Sequence, residues 1–162
     1  SQRAVLIGGL ATGGMWLRPH LVADPYSRVL HTLKLEAANV GSVVYGRYSV
    51  VNLGGTGGVA RLPGIEVCGK TGTAQLYGYD VRAKGSVVAK DLRDNAWFVG
   101  FAPRTNPEIV VAALFENGEH GNLAGPMVRD VMKIYFDKKA RNAPRVPTLA
   151  LAPLGAKGFA VN

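Results

Sequence analysis

Two nearly continuous apolar runs mark the second half of the chain, NAWFVGFA at 95–102 and EIVVAALFE at 108–116. Runs of this length without helical spacing are what strands buried in a sheet show. The link between them, Pro103 to Pro107, is short and turn-like, so the two strands are expected to pair as an antiparallel hairpin. Residues 65–77 are rich in β-branched types and read as a third strand. Earlier, Val29, His31 and Leu33 share a parity within 28–34, which suggests a short strand. Other stretches carry the helical period. Ala37, Val40, Val44, Tyr48 and Val51 recur at three or four residues, an amphipathic helix over about 35–51. Gly41 and Gly46 weaken it by roughly 1 kcal/mol each relative to Ala, and the run Gly54 to Gly58 must end it. Gly125-Pro126 looks like a helix start. Val128, Val131, Met132 and Tyr135 then form an i, i+3, i+4, i+7 stripe, expected in the core and running to about Phe136. Residues 4–11 read as the end of an apolar helix closed by Gly13-Gly14, with an extended stretch from Arg18.

Together these elements predict an α+β fold, antiparallel sheet strands flanked by helices. Gly78 to Asp94 is longer than the usual ~4–6 residues of a connection, which makes it a candidate functional flap or mobile segment. After Ala140 the chain holds Pro144, Pro147 and Pro153 among Ala and Gly. Residues 140–162 are therefore expected to be a disordered basic tail, leaving 1–139 as the folded portion.

Composition changes this picture little: 48% hydrophobic and 19% charged residues describe a globular chain, and 21 glycines favour turns and close backbone approaches. No run approaches the ~18 apolar residues of a membrane span, and the start is not that of a signal peptide. The chain opens Ser1-Gln2-Arg3 without an initiator Met and is expected to be processed or truncated. The one cysteine, Cys68, excludes an internal disulfide or a cysteine-cluster metal site and reads as a small buried strand residue. No metal and no cofactor are expected. The net charge of +8 is compatible with nucleic acid, an anionic membrane surface or acidic cell-wall polymer. Part of it sits in Lys138, Lys139, Arg141, Arg145 and Lys157, opposed only by Asp137. No aromatic residues interleave these charges, so a stacking platform for single strands, and a nucleic-acid partner, are not expected.

The stretch GIEVCGKTGTAQ at 64–75 carries the candidate chemistry. Gly64, Gly69, Lys70 and Thr71 satisfy the phosphate-loop spacing G-x-x-x-x-G-K-[ST]. A phosphate loop needs a buried strand ending at the first Gly and a helix opening at Lys-Thr. Here Ala60-Arg61-Leu62-Pro63 is no such strand, Ile65 to Cys68 are themselves strand-like, and Thr71-Gly72-Thr73 are poor helix formers. Read as a strand, the segment makes sense. Gly69 and Gly72 leave room for a close approach to the backbone. Lys70 supplies a cation, and Thr71 and Thr73 supply hydroxyls. This suits an extended peptide bearing a carboxylate. Strict alternation puts Lys70 and Thr73 on opposite faces, so both reach one ligand only at the sheet edge or through a sharp twist.

Gly69-Lys70-Thr71-Gly72-Thr73-Ala74-Gln75 resembles the third motif of class B penicillin-binding proteins, the transpeptidases that cross-link peptidoglycan. LATGGMWLRPHLV (10–22), NAWFVGFAP (95–103), PEIVVAALFENG (107–118) and the helix from Gly125-Pro126 resemble other segments of that family in order and spacing. The likeness covers roughly residues 4–137 and is strongest to the penicillin-binding protein 2-like, cell-elongation branch. The family's nucleophile lies in S-x-x-K. None of Ser1, Ser27, Ser42, Ser49 or Ser86 has Lys three residues on, and the family's S-x-N is also absent. The resemblance therefore implies the C-terminal portion of a serine D,D-transpeptidase domain, inactive alone, with no catalytic side chain in this chain. It implies that Lys70, Thr71 and Thr73 bind the carboxylate of a D-Ala-D-Ala donor or a β-lactam. The Thr73 amide would serve the oxyanion hole, Gly72 would admit the substrate, and the segment 78–94 would border the cleft. It further implies a parent anchored by a transmembrane helix at the periplasmic face of the bacterial inner membrane. Its expected partners are peptidoglycan stem peptides, β-lactams and cell-elongation membrane proteins, with self-association of the partial domain through exposed apolar surface. The residues leave two other readings open: a non-catalytic peptide- or protein-binding module, and part of a β-lactamase or carboxypeptidase.

Overall fold

The computed structural model describes residues 2–22, 29–76 and 93–143. In chain order these form α1 (Gln2–Ala11), β1 (Met15–Leu17), β2 (Val29–Thr32), α2 (Ala37–Asn52), a 3₁₀ turn (Gly58–Ala60), β3 (Cys68–Ala74), β4 (Asn95–Ala102), β5 (Ile109–Phe115), a second 3₁₀ turn (Gly121–Leu123) and α3 (Gly125–Asn142). The organising unit is an antiparallel sheet ordered β3-β4-β5. β4 pairs residue for residue with both neighbours, Thr71 opposite Phe98 and Phe98 opposite Ala113. The expected hairpin of 95–102 and 108–116 is this β4–β5 pair.

Alternation sorts the sheet's side chains into two layers. On one face, Ala96, Phe98 and Ala102 join Val51, Ala60, Leu62, Val67, Ala124, Val128 and Met132 in a closed core, with Ile109, Val111, Ala113 and Phe136 packed around it. On the other, Phe101 and Cys68 meet Ile7 of α1, rimmed by Ala11, Val44, Tyr48, Val99 and Val110. α2 serves both layers, because Val51 at its end turns into the first and Val44 and Tyr48 face the second. α1 stops where Gly13 and Gly14 adopt φ of 74° and 118°, a left-handed exit open to glycine.

Several expectations are corrected. β1 was not foreseen; it pairs with β2 through Trp16 opposite His31, whose rings stack 5.2 Å apart. All four β2 residues are exposed, so the parity of Val29, His31 and Leu33 marks no buried face. In α2, Ala37 is exposed and burial deepens only toward Val51. On α3 the stripe is Val128, Met132 and Phe136, at a spacing of four. Val131 and Tyr135 of the expected stripe remain 49% and 37% exposed. β5 is as apolar as β4 but only half-buried, since no strand among the described residues covers its outer edge. α3 runs past residue 139 to Asn142, so Lys138, Lys139 and Arg141 belong to a helix end, where cations oppose the helix dipole. Lys139 pairs there with Glu108. Of the expected flap at 78–94 only Arg93 and Asp94 are described; residues 78–92 and the remainder of the tail, 144–162, lie outside the described residues.

Candidate functional site

The motif 69–73 is strand throughout, within β3, and Gly64 sits in the turn between Leu62 and Ile65 with φ of 75°. No helix opens at Lys70-Thr71, so the segment lacks the amide-lined helix N-terminus that a phosphate loop requires. Each motif residue takes its place from the pairing with β4. Gly69 lies opposite Gly100, Lys70 opposite Val99, Gly72 opposite Trp97 and Thr73 opposite Ala96. Gly69 does not leave room for a ligand: a Cβ there would sit 2.6 Å from the Phe98 ring, so its missing side chain admits the core phenyl group instead. A Cβ on Gly72 would meet only the Cβ of Trp97, at 3.5 Å.

β3 is an edge strand among the described residues, and its unpaired edge borders a cleft of about 480 Å³ lined by Thr56, Lys70, Thr71, Gly72, Thr73, His120, Gly121 and Asn122. Lys70 and Thr73 occupy opposite faces of the sheet by register, yet both line this cleft, so the edge is where they meet. Lys70 Nζ donates to the Thr71 carbonyl at 2.9 Å and to Thr71 Oγ1 at 3.3 Å, folding the cation back onto the middle of the strand. Thr71 Oγ1 lies 2.9 Å from Thr56 Oγ1, which ties the strand to the glycine-rich turn after α2. Across the cleft, Gly121 is pressed so close that a Cβ would fall 2.7 Å from both N and O of Gly72. Glu119 reaches this turn with φ of 57° and donates its N–H to the Asp94 carbonyl at 2.8 Å.

Thr56, His120, Gly121 and Asn122 were not singled out in the sequence. The only signals were the glycine run 54–58, which reads as a helix stop, and the polar turn NGEHGN at 117–122, which reads as a loop. Behind the motif, Cys68 is fully buried, and burial pushes its thiol up to about 11. It is therefore a protonated packing group at neutral pH and not a nucleophile.

The comparisons with known proteins agree with this architecture. Residues 2–133 match the penicillin binding protein transpeptidase domain. The chain belongs to that family. It is 33% identical over 145 residues to the peptidoglycan D,D-transpeptidase MrdA of Haemophilus influenzae, covering 80% of this chain and 22% of that protein. Among solved structures it resembles Pseudomonas aeruginosa PBP2 in complex with WCK 5153, with a TM-score of 0.64 at 36% identity over 83% of this chain and 29% of that one. It also resembles the PBP2 component of a complex with MreC from Helicobacter pylori, with a TM-score of 0.64 at 26% identity over 83% of this chain and 24% of that one. The domain is thus of the MrdA/PBP2 type, and the chain spans less than a third of the length of these relatives.

Proposed function

We propose that this chain supplies the substrate-binding wall of a peptidoglycan D,D-transpeptidase of the MrdA/PBP2 type, a serine enzyme of cell-wall synthesis and cell shape. The observation that carries this reading is the open edge of β3, where Lys70, Thr71, Gly72 and Thr73 line one cleft. An extended peptide can add to such an edge by main-chain pairing while a cation and hydroxyls take its terminal carboxylate. In this reading Lys70, Thr71 and Thr73 hold the carboxylate of a D-Ala-D-Ala stem peptide or a β-lactam. The Thr73 N–H stabilises the oxyanion of the attacked carbonyl. Gly72 keeps the approach open, since no side chain projects there. The acylated serine belongs to another part of the parent, because no serine of this chain stands in S-x-x-K. The parent works at the periplasmic face of the inner membrane. Its partners include elongation proteins of the kind seen with the Helicobacter pylori relative.

Titration with N-acetyl-D-Ala-D-Ala, followed by amide NMR, tests the binding role. The largest shifts are expected at Lys70 to Thr73, Thr56 and Gly121, and the methyl ester, lacking the carboxylate, should leave them unmoved. Equal shifts with acid and ester would overturn the assignment. A fluorescent penicillin should leave no covalent label, and a stoichiometric adduct would refute the placement of the nucleophile elsewhere.

A further inference from the structure

The wall of the edge cleft that faces β3 hangs on the turn Asn117 to Asn122, whose backbone is held in a constrained shape. Asn117 and Glu119 both sit in the left-handed region, with φ of 55° and 57°. Asparagine tolerates that region, but glutamate enters it only where its surroundings impose it. Between them Gly118 is buried, and a Cβ there would fall 2.5 Å from the Phe115 ring and 3.0 Å from the Ala96 Cβ, so the turn is pressed flat on the sheet. The constraint comes from two adjacent residues where β4 begins. Asn95 Oδ1 accepts the Asn117 N–H at 2.9 Å, and the Asp94 carbonyl accepts the Glu119 N–H at 2.8 Å. Each left-handed residue is thus held by its own N–H. The donor at Asn117 is a main-chain N–H, so the Asn95 amide must present its oxygen there.

The same two residues also touch β3. Asn95 is the strand partner of Ala74, and the Asp94 carboxylate, 5% exposed, accepts the Leu76 N–H at 3.4 Å. Asp94-Asn95 therefore spans the end of one wall and the root of the other. Directly after Glu119 come His120, Gly121 and Asn122, which line the cleft, with Gly121 standing against the Gly72 backbone. We propose that Asn95 is a positioning residue of the edge cleft: its amide oxygen fixes the turn at Asn117 and so sets how closely His120 to Asn122 face a peptide bound along β3. The bound peptide rests on the transpeptidase reading, whereas the placement of the wall does not. A loosened turn leaves Lys70, Thr71 and Thr73 where pairing with β4 holds them. What is lost is the opposing wall, which must then be ordered at the moment of binding.

The experiment compares wild type, Asn95→Ala and Asn95→Asp as full chains by two NMR readouts. The first, without ligand, is the NOE between the Gly121 α-protons and the Gly72 amide proton. The second is the affinity for N-acetyl-D-Ala-D-Ala at a temperature where all three chains are fully folded. Asn95→Ala is expected to lose most of the NOE and to bind the dipeptide about fivefold more weakly. Asn95→Asp keeps an oxygen for the Asn117 N–H and should retain both. A merely structural role would lower the melting temperature and move neither readout. An NOE of wild-type strength in Asn95→Ala, an NOE lost with affinity unchanged, or an Asn95→Asp chain that behaves like Asn95→Ala would overturn the proposal. If the wild type does not bind the dipeptide, the transpeptidase reading fails with the ligand's part of the proposal, while the NOE still decides whether Asn95 sets the wall.

Discussion

The two faces of the β3-β4-β5 sheet are built to different depths. The α3 face closes over ten buried residues, whereas the α1 face has three, Ile7, Cys68 and Phe101, and is otherwise rimmed by half-exposed groups. β4 supplies both layers from one apolar run, so the strand itself does not set the difference. What differs is the cover. α3 lies along the sheet with Val128 and Met132 wholly buried, and the 3₁₀ turn at 58–60 seals its end. α1 offers one buried hydrophobe, and beside it the layer opens into a cavity of about 170 Å³ lined by Arg3, Arg47, Lys70 and Trp97 among others. The first face is a finished core, and the second is where charge and vacancy collect.

Truncating one side chain on each face tests this contrast most severely. Phe98→Ala empties the centre of the closed core and is expected to cost about 3–5 kcal/mol, read from the midpoint of chemical denaturation. Ile7→Ala on the thinner face should cost close to 2 kcal/mol, because half-exposed neighbours can settle into the space. Equal losses would mean that the two layers are energetically alike.

Alkali provides the next largest effect, through a thiol of the thin face. The Cys68 thiol is raised to about 11 in the folded chain, above the ~8.5 of an exposed thiol. The neutral thiol is therefore favoured by folding. Its contribution is complete below about pH 8.5 and is lost as pH rises toward 11, amounting to at most about 3 kcal/mol. Cys68→Ala should flatten that part of the stability profile, which denaturation at several pH values would show. Alkylation of wild-type Cys68 should likewise wait for unfolding, since the residue is fully buried.

The facing glycines of the edge cleft give a smaller and more local contrast. Gly121→Ala pushes a Cβ to 2.7 Å from the Gly72 backbone, and the turn must move away, at about 1–3 kcal/mol and with the cleft reshaped. Gly72→Ala meets only an ordinary 3.5 Å contact with Trp97 and should be close to neutral for stability while obstructing a ligand on the strand edge. Thermal melts alongside the N-acetyl-D-Ala-D-Ala titration separate the two outcomes. A Gly72→Ala chain that is badly destabilised would show that the strand edge is packed and not open.

The same contrast explains what could be read from the sequence. β4, β5, α2 and α3 were legible because each carries enough apolar positions to leave a period or a run. The motif at 69–73 was legible as strand because Thr and Gly make a poor helix start. β1 was hidden, since three residues carry no period. β5 and the Val131–Tyr135 stripe misled, because hydrophobicity records that a residue can be buried and not what lies against it. Gly69 looked like a gap for a ligand, but the pairing register aims Phe98 at it. The far wall of the cleft, Thr56 and His120 to Asn122, is brought to Lys70 by the tertiary fold alone. Arg47 sits on a helix whose spacing spoke only of packing, and the burial of its Nε and Nη1, unpartnered among the described residues, follows from the tertiary fold.

The smallest effect concerns the joint between the two layers. Asn52 closes α2, and its Nδ2 donates to the Tyr48 carbonyl at 3.0 Å and to the Val67 carbonyl at 2.8 Å, one residue before β3 begins. Tyr48 belongs to the thin layer and Val67 to the closed one, so this amide links them just where the strand enters the motif. Asn52→Ala leaves the Val67 carbonyl without that donor and is expected to cost about 1 kcal/mol, the usual net worth of such a bond. If the link also sets the approach of β3, amide exchange should quicken at Cys68 and Gly69 more than at Val128 and Met132. Uniform quickening across both layers would show that Asn52 adds stability to the whole without joining its two halves.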